Sequence, residues 1–401
     1  MNIHGPPLRC LRGNKTMSKN KNALLGAAFL MATSAVGPGF LTQTTVFTEK
    51  LTTSFGFIIL ISILIDLAVQ FNIWQIIIVS GKRAQDLANG LFPGLGYLLS
   101  FLIVTGGLAF NIGNVAGAGL GIEAMTGVSV QTGAIVSAAI AIGIFLFKEA
   151  GKAMDIFAKI LGFLMIALIL YVAFTVHPPL GSAIQHTFFP EKFDPIATLT
   201  LVGGTVGGYI SFAGAHRLLD SGIRGENALK EVNRGASTGI LITALIRYML
   251  FLATLGIILT GVSINPDNPA ASVFENAAGT FGRQLFGLMI WAAAITSVVG
   301  AAYTSISFLR SFHPLIEQYH SYITIVFILT STVIFLLVGR PVKVLVFVGT
   351  LNGFVLPVAL AILLVTSRKQ RLMGNYKHSI PLQIAGWAVV LILLAMGLNI
   401  F

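Results

Sequence analysis

The tripeptide Gly37-Pro38-Gly39 lies in the middle of an apolar stretch, 24–48, that is long enough to cross a bilayer. Proline has no N–H group and clashes with the carbonyl one turn earlier, and glycine leaves the backbone free, so we expect a helix to break here. The helix that restarts after such a break exposes unpaired N–H groups and a partial positive charge, which suit an anion such as a carboxylate. A simple proline kink, which membrane helices tolerate, is the alternative interpretation.

A second glycine-rich segment begins at Gly203 and ends near His216. Five of its first twelve residues are glycine, which is poor material for a continuous helix. We expect a break at 212–216, and close helix packing through the glycines of 203–208. Packing alone is the alternative explanation of these glycines. His216 could hold a proton or donate to a ligand, or it could be a neutral histidine that is hydrogen-bonded within a helix bundle.

Two ionisable residues, Asp66 and Arg247, fall near the middle of other apolar stretches. Each charge costs about 2.5–3.5 kcal/mol at the centre of a membrane helix, so each is expected to have a partner. We predict that the two residues pair with each other, either as a structural ion pair or as part of a gate.

These residues need a scaffold of membrane-spanning helices. Of the 401 residues, 55% are hydrophobic and only 10% are charged, whereas about a quarter of the residues in a soluble domain are charged. Because one crossing needs roughly 20 apolar residues, we predict a basic cytoplasmic tail, 1–22, and a single transport domain, 23–401, with eleven crossings. The predicted crossings are 24–48, 54–80, 97–125, 128–147, 154–175, 197–221, 233–262, 284–309, 320–338, 342–366 and 380–400.

Positive charge is distributed unevenly between the predicted loops. With the N-terminus in the cytoplasm, 18 of the 25 Lys and Arg residues lie in cytoplasmic segments and five in outer segments. Positive residues accumulate on the cytoplasmic side of membrane proteins, so we expect a multi-pass protein of the plasma membrane with an outer C-terminus. This bias explains the net charge of +11 without a nucleic-acid partner, and the lipid bilayer is the expected surrounding.

Other classes of function find little support in the sequence. The single cysteine, Cys10, excludes a disulfide framework within the chain and a thiolate metal cluster. A Walker phosphate loop, a His-Glu-x-x-His zinc motif and a nucleophile elbow are all missing, so we expect no ATP coupling, no enzyme activity and no cofactor. The oligomeric state stays open, as does the choice between Met1 and Met17 as the start.

Breaks in the first and sixth of eleven crossings indicate two inverted repeats of five helices, about 23–176 and 196–367, followed by an extra helix, 380–400. In this layout the chain resembles the NRAMP (natural resistance-associated macrophage protein) family of proton-coupled divalent metal transporters, within the LeuT-fold group. The resemblance rests also on Pro38-Gly39, on His216, and on Asn352-Gly353-Phe354-Val355-Leu356-Pro357 in the tenth crossing. It implies an all-α integral membrane protein of LeuT type, with helices 1 and 6 broken, that works by alternating access.

The metal-site motifs of that family are altered in this chain. The family has Asp-Pro-Gly-Asn in the first crossing, Met-Pro-His in the sixth and an acidic pair, Asp-x-x-Glu, in the third. The matching stretches here are Gly37-Pro38-Gly39-Phe40, Gly214-Ala215-His216 and Asn111-Ile112-Gly113-Asn114. Neutral residues thus replace the metal ligands and the acids of the proton path. Because a transition-metal ion in a membrane cavity needs anionic or soft ligands, we predict no metal ligands here.

The break Gly37-x-Gly39 also resembles that of amino-acid transporters of this fold, which hold a substrate carboxylate on backbone amides beside an aromatic residue, here Phe212. We predict a secondary transporter of a small carboxylate-bearing solute, an organic acid or an amino-acid derivative, coupled to H+ or Na+. The alternatives are a divalent cation (Mg2+, Mn2+ or Fe2+) as in the family, and a membrane receptor that transports nothing. The predicted substrate-binding residues are Gly37, Pro38, Gly39, Phe40, Gln43, Phe212, Ala213, Gly214, His216 and Asn352, and the predicted coupling or gating residues are Asn111, Asn114, His216, Asp66 and Arg247.

Overall fold

The computed structural model describes residues 35–398, except for the side chains of 148–153, 155, 158 and 159. The predicted tail, 1–22, and the first half of the first crossing, 23–34, lie outside the described residues. The regular elements of 35–398 are all helical. They are α1 (Pro38–Leu51), α2 (Phe55–Ser80), α3 (Ala84–Leu91), α4 (Leu95–Thr126), α5 (Val130–Leu146), α6 (Lys148–Thr175), α7 (Leu180–Phe188), α8 (Pro195–Val206), α9 (Ile210–Asp220), α10 (Leu229–Leu259), α11 (Pro269–Ser307), α12 (Pro314–Gln318), α13 (His320–Val338), α14 (Pro341–Thr366), α15 (Gln370–Met373) and α16 (Ile380–Leu398), with short 3-10 turns at Thr52–Ser54 and Glu226–Ala228.

Each predicted crossing after the first coincides with a long helix or a helix pair of the described chain. Only the eighth begins much earlier than predicted, at Pro269, and non-helical backbone at Ala278 and Gly279 divides its helix, α11. By length and composition, eight segments of the described chain suffice to cross a membrane, or nine if the bent pair α6–α7 counts as one. One of the eight, Pro38–Ser80, is 43 residues long and contains both α1 and α2. The count of eleven crossings stays a prediction.

The predicted break in the first crossing coincides with the start of α1. Gly37 precedes the helix with extended backbone (φ −107°, ψ −173°), and Pro38 occupies the first helical position, where its missing N–H group costs nothing. The proline ring packs directly onto α4, because a Cβ on Gly117 would lie 2.0 Å from the Cβ of Pro38. Glycine at 117 therefore fixes where α1 begins against α4.

The break in the sixth crossing lies earlier than the predicted 212–216. Helix α8 ends at Val206, and α9 begins at Ile210. Between them Gly208 has a φ of +54°, a conformation that side chains with a Cβ rarely adopt. Phe212, Ala213, Gly214 and His216 consequently lie inside a regular helix, α9. The prediction was wrong because it placed the glycines of 203–208 only at helix contacts.

Close helix contacts account for the other glycines of this segment, as predicted. A Cβ on Gly203 would come within 2.0 Å of the Gly349 carbonyl oxygen of α14, and a Cβ on Gly353 within 2.5 Å of the Leu199 carbonyl oxygen of α8. The small residues let the backbones of α8 and α14 approach each other closely. The first half of the sixth crossing is thus held firmly against the tenth.

Candidate functional site

A small cavity lies where the start of α1 meets α4, α8 and α14; we name it the α1 cavity. Its volume is about 10 Å³, roughly the space that one water molecule requires. An organic solute would fit only after the surrounding helices move apart. The lining residues are Ala35, Gly37, Gly39, Phe40 and Gln43, with Phe110, Gly113 and Asn114 of α4, Gly204 of α8, and Leu345 and Val348 of α14.

The first backbone N–H groups of α1, at the edge of this cavity, have no partner within the helix. The carbonyl of Gly37 accepts the first helical hydrogen bond, from the N–H of Leu41 at 3.3 Å. The N–H groups of Gly39 and Phe40 precede that bond. Within the described chain no side chain caps this helix start, and its first turn has no acidic residue. The positive end of the helix dipole therefore borders the α1 cavity.

Polar side chains at the α1 cavity have atoms without hydrogen-bond partners among the described residues. Gln43 donates through Nε2 to the carbonyl of Leu345 at 2.8 Å, and its Oε1 is unpaired. Asn114 is only 6% exposed, and its Nδ2 is unpaired. The Oγ of Ser297, also unpaired, lies 3.5 Å from the position that a Cβ on Gly37 would take. Because buried polar groups are normally hydrogen-bonded, these atoms indicate a place for a ligand or water.

The electrostatic character of the α1 cavity differs from that of a typical metal site. All side chains that line it are uncharged. The described part of the chain contains no group of three or more His, Cys, Asp or Glu residues that could hold a metal ion. The potential metal ligands are neutral amide oxygens on Gln43 and Asn114, which offset little of the hydration that a divalent cation would lose. The unpaired donors at the helix start are better matched to an anionic group.

The predicted binding residues of α9 are not brought to the α1 cavity. Phe212 is fully buried and packs edge-on against Phe308, with ring centroids 5.3 Å apart. The Nε2 atom of His216 accepts a hydrogen bond of 3.5 Å from the N–H of Ala84. A Cβ on Gly214 would come within 2.2 Å of the Trp74 ring. These residues, together with Ala213, form the contact of α9 with α2, α3 and the end of α11. Their predicted role in binding stays untested.

The predicted amide residues of α4 and α14 are distributed over three places. Asn114 lines the α1 cavity, whereas Asn111 donates to the hydroxyl of Ser331 in α13 at 2.9 Å. Asn352 donates to the carbonyls of Gly106 and Val348. A Cβ on Gly208 would come within 2.1 Å of the Asn352 Oδ1 atom. Asn352 therefore braces the break between α8 and α9.

A second cavity lies on the other side of Phe40; we name it the Asp66 cavity. It has a volume of about 10 Å³ and is lined by Phe40, Ile59, Ser62, Ile63 and Asp66, by Thr205 of α8, and by Ile240, Thr243, Ala244 and Arg247 of α10. Asp66 and Arg247 are each 2% exposed. The predicted ion pair between them is not formed, because the described residues contain no contact of 4.0 Å or less between their charged atoms.

Arg247 instead contacts the two broken crossings. Its Nη1 donates to the hydroxyl of Thr205 at 2.8 Å, and its guanidinium carbon lies 4.0 Å from the centroid of the Phe40 ring. A cation over an aromatic face is attracted by the ring quadrupole. Phe40 lines both cavities, so the charged residue is in contact with the wall of the α1 cavity.

Ion pairs at the two ends of α2 escaped the sequence analysis. Near its start, Lys50 contacts Asp194 at 2.6 Å, and near its end, Arg83 contacts Asp220 at 2.8 Å. Burial raises the pKa of Asp194, but hydrogen bonds from Lys50 and from the N–H of Ala197 outweigh it, so that the pKa lies below its ordinary value. These pairs join residues more than a hundred positions apart, and the sequence carried no signal for them.

Gly204 and Thr205 of α8 were also missed as site residues, although both fall in the glycine-rich segment that the sequence analysis singled out. A Cβ on Gly204 would lie 2.6 Å from the Oε1 atom of Gln43, so glycine is needed for that amide to fit. The sequence did contain a signal for them, a run of small residues in a broken crossing. We assigned this run to helix packing alone.

Curated proteins similar to this chain include two close relatives and a distant one. An uncharacterized membrane protein of Haemophilus influenzae is 57% identical over 378 residues, covering 94% of this chain and 95% of that protein. The membrane protein YcsG of Bacillus subtilis, also uncharacterized, is 56% identical and covers 94% of this chain and 93% of its own. The divalent metal cation transporter MntH of Klebsiella pneumoniae is 23% identical, with coverage of 96% and 95%.

Solved structures show that the fold is of LeuT type. A manganese transporter of Eremococcus coleocola superposes with a TM-score of 0.72 at 16% identity, covering 99% of this chain and 88% of that one. MhsT in complex with L-phenylalanine superposes with a TM-score of 0.65 at 18% identity, with coverage of 94% and 98%.

The family comparison covers the domain in which both cavities lie. The family model for natural resistance-associated macrophage protein-like proteins matches residues 28–401. With the LeuT-type fold and the break at the start of α1, this match shows that the chain belongs to the NRAMP family of membrane transporters.

Proposed function

We propose that this protein is a secondary active transporter that binds its cargo in the α1 cavity and moves it by alternating access. The observation that carries the proposal is the start of α1, which no described side chain caps. This helix start borders the α1 cavity, which lies between the two broken crossings, α4 and α14. In transporters built on broken helices, such ends hold the cargo near the middle of the membrane.

We propose a small carboxylate-bearing solute as the cargo, because the chemistry of the lining favours it. The N–H groups of Gly39 and Phe40, the Nδ2 of Asn114 and the hydroxyl of Ser297 are all donors that a carboxylate can accept from. Hydrogen bonds to a charged group are about twice as strong as those between neutral groups. The apolar lining residues Phe110, Leu345 and Val348 would surround the remainder of the solute.

A divalent metal cation is the second candidate, and the comparisons favour it over the carboxylate. The transporters named for a metal include MntH of Klebsiella pneumoniae and the manganese transporter of Eremococcus coleocola. Those identities are 23% and 16%, and MhsT, which binds L-phenylalanine, has the same fold. At these identities the fold is shared by transporters of ions and of amino acids, so the cargo must be decided by experiment. We propose that the protein lies in the plasma membrane with its N-terminus on the cytoplasmic side.

A thermal-shift panel on the purified protein in detergent tests this proposal. The ligands are Mn2+, Mg2+, Na+, amino acids and small carboxylates, and a ligand at a hundred times its dissociation constant adds roughly 2.7 kcal/mol to the stability. Stabilisation by one carboxylate and by neither divalent ion supports the carboxylate. Stabilisation by Mn2+ or Mg2+ alone identifies the metal as cargo. Uptake of the stabilising ligand into proteoliposomes then separates a transporter from a receptor, which binds without uptake.

Gly39 provides the matched variants for the same assay. A Cβ on Gly39 would lie 3.6 Å from the nearest side-chain atom, the Nε2 of Gln43, so Gly39→Ala is accommodated, whereas Gly39→Leu fills the cavity. We expect ligand stabilisation to persist in the alanine variant and to disappear in the leucine variant. Full binding by both variants would place the cargo elsewhere.

A further inference from the structure

We infer that Asp66 is a proton-binding site, and that its charge determines whether Arg247 stays on Phe40 or moves toward Asp66. The inference rests on the proposed function in one respect, namely that the movement of Arg247 is coupled to the transport of cargo. Proton binding itself can be measured in the protein without cargo, so the two can fail separately.

The surroundings of Asp66 form no ion pair with its carboxylate among the described residues. The Oδ1 atom of Asp66 has no hydrogen-bond partner among the described residues, and neither do the Nε and Nη2 atoms of Arg247. Arg247 is the only other charged or titratable side chain described in the lining of this cavity. The hydroxyls there already donate to backbone carbonyls, that of Ser62 to Ile59 and that of Thr243 to Ile240, each at 2.8 Å.

A buried carboxylate with no partner is unfavourable, and two changes in this cavity would remove the penalty. A proton can neutralise Asp66, or Arg247 can approach and pair with it. In the described conformation Arg247 is instead held by Thr205 and Phe40. This position is the one expected when Asp66 is protonated, because a neutral carboxyl group attracts the guanidinium only weakly.

The contacts of Arg247 connect this change of charge to the cargo. Thr205 follows Gly204 in the first half of the sixth crossing, and Phe40 belongs to the first turn of α1. Both Gly204 and Phe40 line the α1 cavity. Loss of the proton would draw Arg247 away from both contacts and free the two broken crossings to move relative to each other.

The same geometry favours a proton over a sodium ion at Asp66. A sodium ion bound to the carboxylate would share a cavity of about 10 Å³ with the positive guanidinium of Arg247. Like charges in a small cavity of low dielectric repel strongly, whereas a proton removes the charge of the carboxylate and creates no new one. Of the two coupling ions expected from the sequence, the structure thus points to H+.

Infrared difference spectroscopy of the cargo-free protein tests the inference. Spectra between about pH 4 and about pH 9 report the C=O band of any carboxyl group that gains a proton. The variants are Asp66→Asn, Asp66→Glu and, as a control, Asp267→Asn, which removes an exposed carboxylate. We expect a buried-carboxyl band in the wild type and the control, its loss in Asp66→Asn, and a shifted band in Asp66→Glu. An unchanged band in Asp66→Asn would overturn the inference, and so would loss of the wild-type band on addition of Na+ at constant pH.

Phe40→Leu tests the connection to the α1 cavity. Without the aromatic face Arg247 is freer to approach Asp66 and to stabilise its carboxylate, so the band should titrate at lower pH, by roughly half a unit to one and a half units. Phe57→Leu changes an aromatic residue elsewhere, one that packs against Phe193, and should leave the titration unchanged. Equal titrations for Phe40→Leu and the wild type would show that Arg247 does not respond to Asp66 through Phe40.

Discussion

The α1 cavity and the Asp66 cavity have the same volume, about 10 Å³ each, and share Phe40 as a wall, but they differ in charge. The α1 cavity is lined by neutral residues and a helix start, whereas the Asp66 cavity contains one carboxylate and one guanidinium. Charge has therefore been kept out of the place where cargo is proposed to bind and concentrated beside it. In this protein the fold separates the proposed cargo site from the buried charged residues.

Removal of Arg247 should have the largest effect on this division. Arg247→Met removes the hydrogen bond to Thr205 and the cation–π contact with Phe40, and we expect a loss of about 2–5 kcal/mol in stability. Arg310→Met, which removes an ion pair with the half-exposed Glu317, should cost about 1 kcal/mol or less. Denaturant unfolding in detergent provides the measurement.

The double variant Arg247→Met with Asp66→Asn decides whether the two residues act as a unit. We expect it to lose less stability than the sum of the single variants, by about 0.5–3 kcal/mol. Additive losses would show that each residue is stabilised independently, and the Asp66 cavity would then be only two unrelated polar sites.

Restoring a charge in the α1 cavity should convert its selectivity. Among the described residues, a Cβ on Gly37 would lie no nearer than 3.5 Å to the Ser297 Oγ and 3.7 Å to the Asn114 Oδ1, so Gly37→Asp reintroduces the family's acidic ligand without a clash of its Cβ with them. We expect Mn2+ at a hundred times its dissociation constant to stabilise this variant by roughly 2.7 kcal/mol, and to have little effect on the matched variant Gly37→Asn. Equal stabilisation of the wild type by Mn2+ would show that neutral ligands already suffice.

Loss of one donor should weaken the α1 cavity without altering its shape. Asn114→Leu removes the unpaired Nδ2 and keeps the side-chain volume, and we expect a roughly tenfold to hundredfold loss of carboxylate affinity, since hydrogen bonds to charged groups contribute about 1.5–3 kcal/mol. The comparison variant Asn111→Leu alters an amide that faces Ser331 and should leave affinity unchanged. Isothermal titration with the stabilising carboxylate measures both affinities, and equal losses would place the carboxylate away from Asn114.

The smallest effect concerns acid sensitivity outside the two cavities. Burial lowers the pKa of His378 from 6.5 to about 4, so the folded state binds fewer protons than the unfolded state between these values. Stability is therefore lost as the pH falls from 6.5 to about 4. As the pH falls through this range, the melting temperature of His378→Gln should decrease less than that of the wild type. An unchanged pH profile would assign the acid sensitivity to another group.

The sequence was sufficient for most of the helices because most of the predicted crossings are long and mainly apolar. The break at Gly37-Pro38-Gly39 followed from proline and glycine chemistry, and α1 begins there. The second break was misplaced because glycine serves both close packing and positive φ. Gly203 packs against α14, whereas Gly208, five residues later, has the left-handed backbone. Composition does not distinguish these two uses.

The site was predicted less completely than the fold because it depends on contacts between distant residues. The sequence placed Asp66 and Arg247 inside the helical domain, where both are buried, but the ion pair predicted between them is not formed among the described residues. It could not foresee that Arg247 would contact Thr205 and Phe40, since an aromatic face and a threonine hydroxyl leave no mark in an apolar pattern.

The room for a Cβ at Gly37, without overlap with the described residues, also bears on how such a protein could change its cargo over evolutionary time. A glycine codon becomes an aspartate codon by a single base change, and the backbone at Gly37 already has the extended conformation that aspartate adopts easily. The lineage could therefore gain or lose a charged ligand in one mutational step, without an intermediate that fails to fold. Specificity for the cargo would then be among the most easily altered properties of this molecule, and its helical scaffold among the least.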